Sequence, residues 1–283
     1  MLVPALITPM DRSGKPDAAA LQELMDRLEP SVDGFLVLGS TGEAVTLAPD
    51  ERERLLAGIK SKKPLWVGVG DESLPLARRH AEAALAAGAD YLLTMSPRFY
   101  DRAMTPAAFR DYYHGLAELG EVWIYHVPVF TKIEFPVEIV KTLAEHPNIT
   151  GMKDSSGDVN RLMYYRAHVP DFTVFSGNGL NLAAAAASGA KGAILAVGNI
   201  APRLFAAVFN QQVGEGRVDD HLAALAYDTA VLYGRGGATL IKQSLRHLGL
   251  PAGYPRPPYQ PESPYWPDAV KLLEKLQGEG WLL

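Results

Sequence analysis

The sequence predicts an α/β chain closed as a (β/α)8 barrel and finished by a C-terminal helical extension. Three observations carry that expectation. Eight short apolar runs, rich in β-branched and aromatic residues, start between 20 and 33 residues apart, and each is followed by a stretch with helical spacing. The runs are nearly continuous in apolar character, which means burial on both faces, as in an all-parallel sheet covered by helices. After residue 201 the strand signal stops and helix-like segments alone remain. Eight βα units are the count of a TIM barrel. A doubly wound open sheet is the structural competitor. Its dinucleotide turn is missing, because the stretches Gly68–Gly70 and Gly177–Gly179 both lack the third glycine.

The predicted strands are Val3–Thr8, Gly34–Leu38, Pro64–Val69, Ala89–Met95, Val122–Val127, Asn148–Lys153, Phe172–Ser176 and Gly192–Val197. Several of the intervening helices announce their starts. Pro49 followed by Asp50 and Glu51 puts a proline at the first helical position and acidic groups against the positive end of the dipole. Thr105 before Pro106 reads as an N-cap, as do Ser73 and Asp158, and Gly88 closes an Ala-rich helix. Beyond the strands, helices are expected near 203–213, 217–233, 237–248 and 266–278, with the Pro-rich stretch Leu250–Pro267 separating the last two. The barrel is placed at 1–215 and the extension, packed on it, at 216–283.

Composition narrows the chemistry. With 27 Lys+Arg against 32 Asp+Glu, the net charge of −5 argues against a nucleic-acid surface. The absence of cysteine excludes disulfides, thiol nucleophiles and zinc–thiolate sites, and it suits a cytoplasmic chain. The first ten residues lack a basic n-region and are broken by Pro4, so they do not read as a signal peptide, and no apolar run is long enough to span a membrane. The seven histidines show no metal-binding pair at three- to five-residue spacing, so no metal is expected. No Gly-x-Ser-x-Gly elbow occurs.

In a barrel, reactive groups sit at the C-terminal ends of the strands. Of eleven lysines, Lys153 stands most clearly at such an end, with Ile149 and Gly151 on its face by the two-residue period. Gly151 is expected to leave space beside it. Burial there favours the neutral amine, which attacks ketones to form a Schiff base. A structural lysine paired with a carboxylate is the competing reading. Tyr125 ends the adjacent fifth strand, about 4.8 Å away, where a phenol could relay protons. Taken alone it reads better as a core tyrosine. His126 points to the opposite face, toward a helix. The turn Gly39-Ser40-Thr41-Gly42-Glu43 offers hydroxyls and backbone N–H groups suited to a small carboxylate or phosphate. A plain polar βα turn explains it equally well.

Taken together, Gly39–Glu43, Tyr125-His126-Val127-Pro128 and Gly151-Met152-Lys153-Asp154-Ser155, in this order and at these strand ends, resemble the motifs of a known family. It is the family of pyruvate-dependent class I aldolases and synthases that includes dihydrodipicolinate synthase and N-acetylneuraminate lyase. The resemblance runs along essentially the whole chain. It implies that Lys153 forms the ketimine with pyruvate and that Tyr125 shuttles protons. Ser40 and Thr41 would hold the carboxylate, Thr41 also joining the relay, and Ile194 would present a backbone carbonyl beside the pyruvate. It implies no cofactor, and a homotetramer built as a dimer of dimers.

Two positions depart from the synthase pattern. Phe130 stands where the synthases carry an arginine for the second substrate's carboxylate. Phe99 stands where they use a relay tyrosine from the neighbouring subunit, with Tyr100 one step away. The stretches His146–Asp158 and Leu248–Gly253 look closer to the 4-hydroxy-2-oxoglutarate aldolase branch, with Arg98 or Arg102 as binders of a distal group. The resemblance thus implies a lyase that cleaves or forms a 4-hydroxy-2-oxo acid, of the 4-hydroxy-2-oxoglutarate or 2-keto-3-deoxy sugar-acid type, from pyruvate and an aldehyde. The alternatives are 4-hydroxy-tetrahydrodipicolinate (dihydrodipicolinate) synthase, condensing pyruvate with aspartate semialdehyde, and a non-catalytic barrel that binds oxo acids.

Overall fold

A computed structural model describes residues 1–283. Eight strands form one sheet: β1 (Leu2–Pro4), β2 (Phe35–Val37), β3 (Leu65–Gly68), β4 (Tyr91–Thr94), β5 (Val122–His126), β6 (Ile149–Asp154), β7 (Thr173–Ser176) and β8 (Gly192–Leu195). All neighbours pair in parallel, in the order β1-β8-β7-β6-β5-β4-β3-β2. The seam between β1 and β2 is closed by a bridge from Ala5 to Leu36, where Leu6 N–H donates to the Leu36 carbonyl at 2.8 Å. The sheet is therefore a TIM barrel, as the eight-unit rhythm predicts. Most strands are shorter than their apolar runs. Residues Leu6–Pro9, for example, stay buried past the Ala5 bridge without forming a strand.

The helices are α1 (Ala18–Leu28), α2 (Pro49–Ala57), α3 (Leu74–Ala86), α4 (Pro106–Ala117), a single turn α5 (Pro128–Thr131), α6 (Val137–Leu143), α7 (Val159–His168), α8 (Leu182–Ala187), α9 (Pro202–Glu215), α10 (Asp220–His247) and α11 (Trp266–Gly278). The caps expected from sequence are made. Ser73 accepts from Leu76 N–H, Thr105 from Ala108 N–H and Asp158 from Asn160 N–H. None of the helices is long and apolar enough to cross a membrane.

Strand alternation divides the core in two. Residues such as Val3, Leu36, Trp66, Trp123, Phe175 and Ile194 fill the barrel interior, whereas the larger cluster lies between strands and helices. The interior is aromatic. Trp66 stacks on Tyr91 at 4.5 Å between centroids and meets Trp123 at 5.4 Å and Phe175 at 5.9 Å. These rings plug the barrel below Lys153, so that the open end is the C-terminal mouth.

The segment expected as two helices, 217–233 and 237–248, is α10, interrupted at Gly237 by φ 56° and ψ −155°, a conformation only glycine adopts readily. Tyr233 donates to Ser244 Oγ at 2.9 Å across the break. The Pro-rich connection is tied back to the barrel. Tyr254 N–H donates to the Met10 carbonyl at 2.8 Å, and the Arg256 guanidinium grips both carboxylate oxygens of Glu51 at 2.6 and 3.0 Å.

Candidate active site

Lys153 and Tyr125 are register partners on β6 and β5, and Lys153 also pairs with Phe175 on β7. Both side chains turn inward. Lys153 is 3% exposed and Tyr125 5%. The Lys153 Nζ lies 4.3 Å from the centroid of the Tyr125 ring. No carboxylate lies within ion-pairing distance of Lys153. Its neighbour Asp154 faces the other side of the sheet, where it accepts from Arg161 at 3.1 Å. The structural-lysine reading needs a carboxylate partner, and none is there.

The Tyr125 hydroxyl is 2.9 Å from Ser40 Oγ, which links the end of β5 to the turn after β2. Thr41 and Ile194 line the same cavity, with Ile194 buried on β8. Five of the six predicted site residues, Lys153, Tyr125, Ser40, Thr41 and Ile194, are therefore brought together. Phe99 is not. Its ring is 77% exposed and packs edge-on to Tyr100, outside the cavity. The backbone N–H groups of Arg98 and Phe99 donate to Glu72 at 3.0 Å each, which ties this loop to the connection after β3. Within its own chain, Phe99 lines no substrate site. The Arg98 guanidinium lies 3.6 Å from the same Glu72 and likewise stays outside the cavity.

The cavity has a volume of about 330 Å³ and lies between the barrel mouth and α10. Its polar wall is Ser40, Thr41, Tyr125, Lys153, Ser155 and Asn178, and Val127, Val129, Phe130 and Leu180 form an apolar side. The expectation about Gly151 is corrected here. A Cβ at Gly151 would lie 2.6 Å from the Trp123 ring, so that glycine makes room for the aromatic plug rather than for the lysine. The space beside Lys153 is left by Gly177, where a Cβ would fall 1.9 Å from Ser155 Oγ and 3.0 Å from Lys153 Cε. His126 lies on the outer side, as expected, but its ring meets Phe135 in the connection between α5 and α6 rather than a helix. Burial pushes its pKa below the ordinary imidazole value, partly offset by Asp154.

Sequence reasoning missed the contribution of α10. Tyr233, Gly234, Gly237, Ala238 and Ile241 form the far wall of the cavity. The signal was the Gly234-Arg235-Gly236-Gly237 run inside a helical stretch, too glycine-rich for an uninterrupted helix. Also missed was Lys242, which is fully buried and meets Glu43 of the Ser40–Thr41 turn at 2.5 Å. Burial lowers the Lys242 pKa, and the Glu43 charge opposes that shift.

The chain has relatives of known description. The model of the dihydrodipicolinate synthetase family matches residues 1–274. A 4-hydroxy-tetrahydrodipicolinate synthase of Jannaschia sp. (strain CCS1) is 31% identical over 261 residues, 88% of each chain. One from Salinibacter ruber is 33% identical over 231 residues, covering 78% of this chain and 74% of the relative. A crystal structure from Thermus thermophilus, provisionally described as a dihydrodipicolinate synthase, superposes with a TM-score of 0.96 at 46% identity over the whole of both chains. A prophage protein from E. coli K12 of the dihydrodipicolinic acid synthase family, crystallised with pyruvate, gives 0.85 at 26% identity, covering 99% of this chain and 98% of that one. End-to-end agreement in sequence and in barrel geometry leaves one conclusion. The chain belongs to the dihydrodipicolinate synthetase family, whose members are Schiff-base aldolases and lyases that use pyruvate.

Proposed function

We propose that Lys153 is the Schiff-base residue of this chain and that it joins pyruvate to an aldehyde or cleaves the product of that union. The observation that carries the reading is a buried lysine without a carboxylate partner, set against Tyr125 at the mouth of the barrel. The amine adds to the C2 ketone of pyruvate, and loss of water gives an iminium that withdraws electrons from C3. A C3 proton leaves, the enamine carbon bonds to the aldehyde carbon, and the aldehyde oxygen takes a proton. Hydrolysis of the iminium then frees the product and restores Lys153. Tyr125 sits where these protons move, and its contact with Ser40 Oγ extends the relay toward the turn. Ser40, Thr41 and the backbone of that turn hold the pyruvate carboxylate, and the Ile194 carbonyl borders the bound ketone. These steps call for neither a metal nor a cofactor.

The names of the relatives support condensation with aspartate semialdehyde, the 4-hydroxy-tetrahydrodipicolinate synthase reaction, better than cleavage of a 4-hydroxy-2-oxo acid. Phe130 on the cavity wall offers no charge to a distal carboxylate. That counts against aspartate semialdehyde and 4-hydroxy-2-oxoglutarate alike and, within the second reading, favours the 2-keto-3-deoxy sugar-acid type with its uncharged aldehyde. The exposed Phe99–Tyr100 pair is a surface for a second protomer, in keeping with a tetramer.

Exchange of the pyruvate methyl protons in deuterated water, followed by NMR, tests the Schiff-base reading. The wild type should exchange them, Lys153→Ala should not, and Tyr125→Phe should be slower by about 10²-fold or more. Exchange undiminished in Lys153→Ala would overturn the assignment. Turnover with aspartate semialdehyde, measured against cleavage of 4-hydroxy-2-oxoglutarate and of a 2-keto-3-deoxy sugar acid, separates the acceptors.

A further inference from the structure

The deepest charged contact near the mouth belongs to two residues with no place in the chemistry above. Lys242, on α10, has no exposed surface, and its ammonium reaches Glu43 at 2.5 Å and the Tyr254 carbonyl at 2.8 Å. The other oxygen of Glu43 accepts from Arg256 N–H at 3.0 Å. One carboxylate thus gathers α10 and the Pro-rich connection onto the turn that follows β2. Other groups hold the same turn: Thr8 Oγ1 donates to the Gly42 carbonyl at 2.7 Å, Glu43 N–H to the Ser40 carbonyl at 3.1 Å, and Arg52 to the Ala44 carbonyl at 2.7 Å. Among these contacts only the Glu43–Lys242 pair joins the turn to α10.

Glu43 sits at φ 55°, a left-handed conformation that a side chain other than Gly, Asn or Asp seldom adopts. A buried ion pair is weak as a source of stability, because desolvating both charges offsets most of their attraction. It is specific in direction, however, and fixes one arrangement of the groups it joins. The groups joined here are the two walls of the cavity. Ser40 and Thr41 precede Glu43 by three and two residues on one wall, and Ile241, next to Lys242, is part of the other.

We propose that Glu43 and Lys242 form a positioning pair that holds the Ser40–Thr41 turn in register for the pyruvate carboxylate. This rests on the reading that the turn binds that carboxylate. Neither residue touches substrate; both act through the turn. The pair also gives the C-terminal extension a part in pyruvate binding.

The test measures KM and kcat for pyruvate in methyl-proton exchange, well below the melting temperature, for Glu43→Gln, Lys242→Met and the double variant. Glu43→Gln keeps the shape and the acceptor for Arg256 N–H, so it carries the test even where Lys242→Met fails to fold. Each folded single variant should raise KM by about tenfold or more while kcat stays within about threefold, since misplaced binding groups cost ground-state affinity first. The double variant should be no worse than the poorer single one, because both act through one contact. A lower melting temperature with wild-type KM would show a purely structural pair and overturn the proposal, as would a loss confined to kcat. A wild type that exchanges no protons would instead contradict the Schiff-base reading itself.

Discussion

Lys153 shows how far position along a strand goes toward chemistry. The two-residue period puts it inside the barrel, and its register with Tyr125 on β5 brings amine and phenol to the same level. What alternation cannot give is the height of a neighbour within the barrel. Gly151 shares the lysine's face but lies one layer lower, under the Trp123 ring, and the room beside the lysine is made by Gly177, just past the end of β7. Gly177→Ala should therefore act on function more than on fold. Its methyl group collides with Ser155 Oγ and crowds Lys153 Cε, so exchange of pyruvate protons should drop by about 10²-fold, as for a reacting group moved by about 1 Å. Circular dichroism should still report a folded chain, with overpacking costing about 1–3 kcal/mol. Undiminished exchange would mean that the lysine has room to spare.

At the scale of elements, the alternation of strands and helices and the caps at Ser73, Thr105 and Asp158 were legible because each is a local pattern. The contribution of α10 was not. Glu43 and Lys242 are 199 residues apart, and nothing local to either marks the other as its partner. That Phe99 stays outside its own chain's cavity was not legible for a related reason. Its loop is steered by Glu72, a residue from the neighbouring βα connection whose reach no strand pattern reveals. The break in α10 makes a sharper prediction. Gly237 holds φ 56° and ψ −155° on the cavity wall, so Gly237→Ala should cost about 1–3 kcal/mol in chemical denaturation. An unchanged midpoint would mean that the break relaxes into regular helix.

For the molecule as a whole, the barrel is closed on itself, and the C-terminal extension is laced back onto its mouth through Lys242, Tyr254 and Arg256. Buried histidines should contribute to its response to acid. Burial lowers the pKa of both His80 and His126, with the nearby Arg52 charge adding to the shift at His80. In the unfolded chain both recover a value near about 6.5 and bind protons that the folded state refuses. Stability from these groups is thus present in full above that value and lost as the pH falls below it. The melting temperature should be level from about pH 7 to 8 and drop between about pH 6.5 and 5, and His126→Gln should flatten that drop. A drop that begins only below about pH 5 would assign acid sensitivity to the carboxylates instead.

The proposed reaction turns on a covalent bond at one atom, the Lys153 Nζ. Incubation with pyruvate and borohydride, followed by peptide mapping by mass spectrometry, should place a reduced pyruvyl group on Lys153 and on none of the other ten lysines. An unmodified Lys153, or label on another lysine, would contradict it.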